Sequence, residues 1–156
     1  KESEEIIKFK ILKQIEYYFS PANFYSSAYM QRTYAQWDNW FPIDLLLNFP
    51  KMRQLFSQLD VTFKTAIFWE VLQLSKKLVI NKNGTCIRPR LDIASMRRRT
   101  HTFSVNFCVK SYKARIPTIE ELNDYFGCSG LILRIKVTRH RSGYIARIEY
   151  GCRESA

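Results

Sequence analysis

The spacing of the hydrophobic residues changes near residue 103, and this change constrains the fold more than any other feature of the chain. Before it, apolar residues recur at helical steps, as Ile7, Ile11 and Ile15 do at intervals of four. From residue 103 to 109 apolar and small residues alternate with a period of two, which is typical of a β-strand. We therefore expect an α+β protein, with a helical domain first and a sheet domain second.

Prolines divide the first part of the chain into short helices. Proline ends a helix or occupies its first turn, so Pro21, Pro42 and Pro50 each mark a helix boundary. Asn23 is expected to cap a second helix at 24–34, because its side chain can accept a hydrogen bond from the first turn.

A β-hairpin is predicted to close the first domain. An amphipathic helix at 62–76 precedes two short β-patterns, 78–80 and 85–88, which flank an Asn-Gly turn. Several helices followed by one hairpin form a winged-helix arrangement. We expect this domain to occupy residues 1–90.

The second domain is predicted at 102–156, after a basic linker at 91–101. Thr118 is expected to cap a helix at 119–126, and two further strands are predicted at 131–137 and 144–150. The order β-α-β-β lacks the last helix and strand of an RNA-recognition motif, whose full order is β-α-β-β-α-β.

The charge of the chain points to a polyanionic partner. The formal net charge is +11 and the sequence pI is about 9.7. Such a balance favours nucleic acid as the partner before a membrane surface. No apolar run approaches the roughly 20 residues that a membrane span needs, so we expect no membrane partner.

The sequence offers no catalytic or metal-binding set. Its four cysteines show no CxxC spacing, which argues against a zinc site and favours free thiols. His101 and His140 have no plausible nucleophile or carboxylate partner nearby in the sequence, and no Gly-rich phosphate loop is present. We expect a binding protein without a cofactor and without enzyme activity.

Residues 13–56 are unusually aromatic. This stretch of 44 residues contains twelve Phe, Tyr or Trp residues. Aromatic faces combined with an excess of positive charge suit single-stranded nucleic acid, whose bases stack and whose phosphates attract cations. The alternative is an ordinary helical core filled with aromatic side chains.

The order of these residues resembles a known family. The run QIEYYFS at 14–20, Asn23, the run WFPI at 40–43 and Phe49 resemble the La motif, the winged-helix domain of La and La-related proteins. The β-α-β-β unit is similar to the RNA-recognition motif that accompanies the La motif in the La module. The resemblance covers almost the whole chain.

The resemblance implies a site for the 3′ end of RNA, usually a terminal oligouridine run. Gln14 would hydrogen-bond the edge of the penultimate base, because its amide offers both a donor and an acceptor. Tyr17, Tyr18 and Phe49 would supply stacking and hydroxyl contacts, and Tyr29 stands where the family usually has a stacking Phe. Tyr17 could instead be a core residue.

Asn23 and Ser27 complete the part of the site that the La motif implies. Where the family commonly has an Asp that grips the ribose hydroxyls of the last nucleotide, this sequence has Ser27. A hydroxyl makes a weaker hydrogen bond than a carboxylate does. We therefore expect recognition of a free 3′-hydroxyl to be softened.

The second domain is expected to contact RNA differently from most RNA-recognition motifs. Ile145 and Arg147 stand where that motif usually has stacking aromatic residues, so base stacking on the sheet is doubtful. Ile135 matches the strand edge that helps to enclose a uridine in La modules, with a core position as the alternative. The cations expected to hold the RNA backbone are Arg134, Lys136, Arg139, Arg141 and Arg147.

The leading hypothesis is a nuclear La-family RNA chaperone. It would bind the uridine-rich 3′ end of a small non-coding RNA of polymerase III type, protect it and assist its folding and assembly with other ribonucleoprotein subunits. Ser27 and the sheet without aromatic residues resemble La-related proteins that stay bound to one RNA, such as those associated with telomerase.

Two other functions are possible from the sequence. One is a protein-interaction scaffold that keeps the La fold and binds RNA weakly and non-specifically. The other is duplex DNA binding by the winged helix. The helix at 62–76 argues against duplex DNA, because it carries Lys64, Lys76 and no Arg, with Glu70 between them.

Overall fold

The computed structural model describes residues 3–59, 64–92, 101–109, 115–141 and 143–152. Contacts divide the chain into two units: unit 1 is Lys1–Ser20 with Ala28–Leu91, and unit 2 is Pro21–Ser27 with Asp92–Ala156. Helices and strands occur together, which confirms the α+β class. Most of the predicted basic linker, at 93–100, lies outside the described residues.

The elements follow the order expected from the hydrophobic spacing. The described helices are α1 (Glu4–Tyr18), α2 (Pro21–Phe24), α3 (Ala28–Gln36), α4 (Ile43–Leu47), α5 (Pro50–Phe56), α6 (Lys64–Gln73) and α7 (Ile119–Phe126). The described strands are β1 (Phe41–Pro42), β2 (Leu78–Ile80), β3 (Cys86–Pro89), β4 (His101–Val109), β5 (Leu131–His140) and β6 (Gly143–Cys152). None of these helices is long and apolar enough to span a membrane.

The core of unit 1 forms around one face of α1. Ile7, Ile11 and Ile15 are buried on this face, as their four-residue spacing predicts, and α1 packs against α5 and α6. Each such side chain contributes about 1.5–3 kcal/mol when it is fully buried. The Nζ of Lys8 lies 2.9 Å from a carboxylate oxygen of Glu4 and 2.9 Å from one of Glu70, so it links α1 to α6. These hydrogen bonds raise the pKa of Lys8.

Unit 1 is closed by a three-stranded antiparallel sheet in the order β1-β3-β2, which we call the wing sheet. The predicted hairpin is confirmed, because Ile80 of β2 pairs with Ile87 of β3. At its turn Gly84 has a φ of 72°, and a Cβ there would lie 2.4 Å from the Trp69 ring. The sequence did not predict β1, whose two residues are too short for a periodic pattern.

The predicted helix at 24–34 is wrong. The chain forms two helices there, because α2 ends at Phe24 and α3 begins at Ala28. The Ser26 Oγ donates a hydrogen bond to the carbonyl oxygen of Ala22 (2.8 Å), and the Ser26 amide donates to that of Asn23 (3.1 Å). Serine side chains compete in this way with the helical hydrogen bonds. Asn23 therefore lies within α2 and does not cap the following helix.

Unit 2 contains a second antiparallel sheet in the order β4-β6-β5, with α7 between its first two strands in the chain. The predicted element order β-α-β-β is confirmed. Strand β5 continues to His140, so the turn that joins it to β6 is shorter than the sequence suggested. In the register, the apolar pair of Ile135 with Ile148 is followed by the basic pair of Lys136 with Arg147.

Helix α2 packs against β5 within unit 2. Ala22 is fully buried there and joins the hydrophobic cluster of the sheet, which includes Leu122, Ile135 and Ile148. An alanine fits where a helix lies close to a sheet, because its side chain is a single methyl group. The short segment 21–27 is thus part of the core of unit 2.

Helix α7 begins with a capping box, which confirms the predicted cap at Thr118. The Thr118 Oγ1 accepts a hydrogen bond from the Glu121 amide (3.2 Å), and the Thr118 amide donates one to the Glu121 Oε2 (2.8 Å). Arg115 hydrogen-bonds the same carboxylate. The hydrogen bond from Arg115, followed by that from Thr118, lowers the pKa of Glu121 to about 2.

This lowered pKa predicts a pH-dependent contribution of Glu121 to the stability of unit 2. A carboxyl group whose folded pKa lies below its unfolded value of about 4.3 stabilises the fold above that value, and the contribution is lost as the pH falls towards 2. An NMR titration of the Glu121 carboxyl should show a midpoint near 2. Arg115→Ala should move the midpoint towards 4.3, and an unchanged midpoint in that variant would contradict the assignment of the cause.

Candidate nucleic-acid interface

A cluster of aromatic rings on unit 1 surrounds Phe49. The Phe49 ring lies 4.9 Å from the Tyr18 ring, edge to face at 86°, and 5.8 Å from the Tyr29 ring, measured between centroids. The Phe41 ring lies 6.0 Å away on the same basis. We call Tyr18, Tyr29, Phe41 and Phe49 the aromatic cluster. Its members come from α1, α3, β1 and the junction of α4 and α5.

The sequence around Phe49 explains why its ring is presented at this junction. Pro50 is the first residue of α5, and the residue before a proline avoids the helical conformation. Phe49 accordingly has φ −62° and ψ 137°, and α4 ends one residue earlier at its cap, Asn48. The short break between two helices thus holds one aromatic side chain outside both of them.

The rings differ in exposure, so the aromatic cluster has a buried side and a side that is accessible to solvent. Phe41 is completely buried and also contacts the ring of Phe19 at 5.8 Å. Tyr18 and Phe49 are half-buried, and Tyr29 is 46% exposed. A planar ligand can therefore reach Tyr29 and parts of Tyr18 and Phe49, while Phe41 supports them from below.

Gln14 and Tyr17 lie beside the aromatic cluster on α1. Positions three and four residues apart are neighbours on a helix surface, so Gln14 adjoins both Tyr17 and Tyr18. The Tyr17 and Tyr18 rings are 6.4 Å apart and both are half-buried. Gln14 is 3% exposed despite its polar side chain. Unit 1 thus brings together five of the predicted site residues: Gln14, Tyr17, Tyr18, Tyr29 and Phe49.

Asn23 and Ser27 belong to unit 2 with helix α2. Both are half-buried, and the Ser27 amide donates a hydrogen bond to the carbonyl oxygen of Phe24 (3.3 Å). The local hydrogen bonds of this segment hold its backbone in two consecutive turns. Asn23 and Ser27 are therefore assigned to unit 2, whereas the other five residues are assigned to unit 1.

The predicted RNA-binding residues of the second sheet are of two kinds. Ile135 is 4% exposed and lies in the hydrophobic cluster, which is the core position that the sequence left open. Arg139, Arg141 and Arg147 are exposed. The Nε of Arg147 donates a hydrogen bond to the Oδ1 of Asn106 (3.0 Å), which holds the guanidinium against the sheet.

Two cations next to each other in the register strengthen the basic character of this sheet. Lys136 pairs with Arg147 across β5 and β6, and Arg134 lies two residues before Lys136 on the same side of β5. All three are exposed, and Glu149 is the register partner of Arg134. The described side chains on this side of β5 and β6 offer charge and hydrogen-bond donors to a ligand, with no aromatic ring among them.

The sequence did not identify a stacked pair on the wing sheet. The guanidinium carbon of Arg88 lies 4.5 Å from the centroid of the Trp40 ring. The sequence predicted Arg88 only as the last residue of the strand pattern at 85–88, and it singled out Trp40 only as part of the run WFPI. In the antiparallel pairing of β1 with β3, Phe41 lies opposite Ile87 and Pro42 lies opposite Cys86. This pairing brings Trp40 and Arg88 together.

No candidate metal site is present in the described part of the chain. Within it, no three of the His, Cys, Asp and Glu side chains lie close enough together to hold one ion. The residues that the fold does bring together are aromatic, amide and basic. They define an α+β protein whose first unit carries an aromatic surface and whose second unit carries a basic sheet.

Comparisons with known proteins bear on the first part of the chain, which contains the aromatic cluster. The family model described as the La domain matches residues 11–67. The solved La autoantigen N-terminal domain is 25% identical, covers 58% of this chain and 92% of its own, and gives a TM-score of 0.49. The La motif of the Dictyostelium discoideum La protein is 30% identical, with the same two coverages and a TM-score of 0.45. None of the curated proteins that were compared matches the chain.

The chain belongs to the La family. The La motif is an RNA-binding domain, and it is not an enzyme. The matched segment contains Gln14, Tyr17, Tyr18, Tyr29 and Phe49, the five residues that unit 1 brings together.

Proposed function

We propose that the chain binds the 3′ end of RNA on the aromatic cluster of unit 1. The observation that carries this proposal is the position of Phe49, which holds Tyr18 and Tyr29 at 4.9 Å and 5.8 Å while Tyr29 keeps nearly half of its surface exposed. An unpaired base needs a flat apolar partner, and each stack contributes about 1–3 kcal/mol. The last nucleotides of a single strand can reach such a surface because they are not held in a duplex.

The preference that we propose is for uridine. Gln14 supports it, because a side-chain amide offers one acceptor and two donors, and Gln14 adjoins Tyr17 and Tyr18 on α1. Uracil presents both a carbonyl acceptor and an N–H donor on its pairing edge, so such an amide can make two hydrogen bonds with it. The hydroxyl groups of Tyr17 and Tyr18 add further hydrogen-bonding capacity next to Gln14.

The RNA that we propose is a small non-coding transcript of polymerase III type with an oligouridine 3′ end. The protein would protect this end and assist the folding of the RNA and its assembly with further ribonucleoprotein subunits in the nucleus. A telomerase RNA is one candidate of this kind. The likeness to the La family and the net charge of +11 support this proposal.

The first test compares three ten-nucleotide RNAs: one ending in UUU with a free 3′-hydroxyl, the same RNA with a 3′-phosphate, and one ending in AAA. We expect the AAA end to bind at least tenfold more weakly, which is 1.4 kcal/mol. The 3′-phosphate should weaken binding less, because position 27 of this sequence lacks the carboxylate with which the family commonly grips the terminal ribose hydroxyls. Fluorescence anisotropy at constant salt measures all three.

Equal binding of the three RNAs would contradict the proposal. With a steep salt dependence, that result would favour the alternative of a protein-interaction scaffold with weak, non-specific RNA binding. The exposed cations Arg134, Lys136 and Arg147 are the feature that favours this alternative. The affinity of such binding would increase with the number of phosphates in the RNA and would not depend on the identity of the last bases.

A further inference from the structure

The outer face of the wing sheet carries an aromatic and a basic side chain. Side chains alternate between the two faces of a strand, so Phe41 and Ile87, which are fully buried, mark the inner face. Trp40, the residue just before β1, and Arg88 of β3 are each one position away from these two and belong to the outer face. Trp40 is half-buried and Arg88 is exposed.

Arg88 and Trp40 form a stacked pair at the centre of this outer face. Their separation of 4.5 Å, from guanidinium carbon to ring centroid, is within the range of a cation–π interaction. The ring restricts the guanidinium but leaves the N–H groups at its edge free to donate to a ligand. No carboxylate among the described residues forms an ion pair with Arg88. A guanidinium restrained in this way can bind the paired oxygens of a phosphate.

More positive charge lies along the same strand. Arg90 follows Arg88 by two residues and is also exposed, while Pro89 between them is buried. The Arg90 amide donates a hydrogen bond to the carbonyl oxygen of Lys77 (2.8 Å), which extends the pairing past the end of β3. Arg88 and Arg90 therefore lie on one side of the sheet, where they can contact successive phosphates of one strand.

An exposed tryptophan lies in the turn that leads into β1, where the Trp40 amide donates a hydrogen bond to its carbonyl oxygen (3.1 Å). Trp37 is 52% exposed and lies three residues before Trp40. The two residues after it, Asp38 and Asn39, have φ values of 53° and 61°, in the left-handed region. Asp and Asn adopt this region more easily than other residues with a side chain. The turn returns the chain to β1 and leaves a large aromatic surface open to solvent, which suits a base that needs a stacking partner.

We propose that Trp37, Trp40, Arg88 and Arg90 form a second RNA-binding surface, which we call the wing face. Arg88 and Arg90 bind phosphates of the RNA, and Trp37 stacks on a base without reading its identity. The proposal rests on the RNA binding proposed above, and it assigns to the wing face nucleotides other than the terminal ones held by the aromatic cluster. Two arginines beside an exposed indole favour RNA over a protein partner, because they match a repeating phosphate together with a base.

The test uses two RNAs with the same oligouridine end, one of four nucleotides and one of 25, and the double variant Arg88→Glu/Trp37→Ala. We expect this variant to bind the 25-nucleotide RNA about tenfold more weakly. Arg88→Ala alone should reduce the slope of log K against log salt by about 0.7, the amount for one phosphate contact with a single strand. Binding of the four-nucleotide RNA should stay within twofold of wild type, which also shows that unit 1 is folded.

The matched control is Lys64→Glu/Tyr125→Ala, which changes an exposed cation and an aromatic residue that is 75% exposed, both outside the wing face. We expect it to bind both RNAs as the wild type does. An equal loss in the control, or no loss in the wing-face variant, would overturn the proposal and leave the wing face to a protein partner. Equal affinity of wild-type protein for the two RNAs would overturn it as well.

The two proposals fail in different ways. Loss of discrimination between UUU and AAA ends in the wild-type protein would remove the proposed end recognition. A salt slope and a long-RNA affinity that do not respond to Arg88→Ala would remove the wing face instead. The ratio of affinities for UUU and AAA ends should be the same in Arg88→Ala as in wild type.

Discussion

Phe49→Ala should weaken the binding of an RNA that ends in UUU by about 1–3 kcal/mol, roughly 5-fold to 150-fold. The Phe49 ring contacts Tyr18 and Tyr29 and lies above Phe41, so its removal takes away one stacking surface and loosens two others. The measurement is a titration of the ten-nucleotide UUU and AAA RNAs with wild type and variant. The UUU affinity should fall towards the AAA affinity, since the loss is specific to the end site.

Phe9→Ala is the matched control for this prediction. Phe9 is 59% exposed on α1, and the Nζ of Lys13 lies 5.8 Å from its ring centroid. Removing this ring deletes the same side chain from the same unit without touching the aromatic cluster, so the UUU affinity should not change. Phe49→Tyr keeps the ring and should retain most of the binding. If Phe49→Ala binds UUU and AAA ends with the wild-type ratio, the RNA end does not lie on Phe49.

Phe41→Ala should lower the free energy of unfolding of unit 1 by about 3–5 kcal/mol, the range for a buried phenylalanine. Phe41 is completely buried and has rings of Phe19, Tyr29 and Phe49 around it at 5.8 Å, 6.5 Å and 6.0 Å. Truncation leaves a cavity that these rings can fill only by moving. The variant should therefore also lose discrimination between UUU and AAA ends.

Tryptophan fluorescence during denaturation is the measurement for Phe41→Ala. All three tryptophans of the chain, Trp37, Trp40 and Trp69, lie in unit 1, so their fluorescence reports the unfolding of that unit alone. Phe41→Leu removes less volume and is expected to lose clearly less stability than Phe41→Ala. Equal stability of Phe41→Ala and wild type would show that this residue does not support the aromatic cluster.

The sequence identified the site residues of unit 1 by two kinds of signal. The resemblance to the La motif pointed to Gln14, Tyr17, Tyr18 and Phe49, and helical spacing placed the first three on neighbouring positions of one helix. That the Phe49 ring stands against Tyr18 and Tyr29 could not be read from the sequence. Those contacts join residues separated by twenty or more positions, and such contacts depend on how the helices pack.

Ile135 and Arg88 are two further residues whose surroundings could not be read from the sequence. The sequence left Ile135 open between a ligand and a core residue, and it predicted Arg88 only as the end of a short strand at 85–88. The register of β5 with β6 pairs Ile135 with Ile148 in the hydrophobic cluster. Pairing of β1 with β3 places Arg88 against Trp40. A register decides which face each side chain occupies, and a shift of one residue would reverse it.

The sequence by itself determined the features that depend on near neighbours in the chain. These are the buried stripe of α1, the capping box of Thr118, the hairpin around Gly84 and the change from helical to strand spacing. Local hydrogen bonds of Ser26 divide the predicted second helix, and the helical spacing did not reveal them. Tertiary structure alone decided that Ala22 packs with the sheet of unit 2. Hydrogen bonds and spacing within a few residues are encoded locally, whereas the packing of Ala22 depends on a strand more than a hundred residues away.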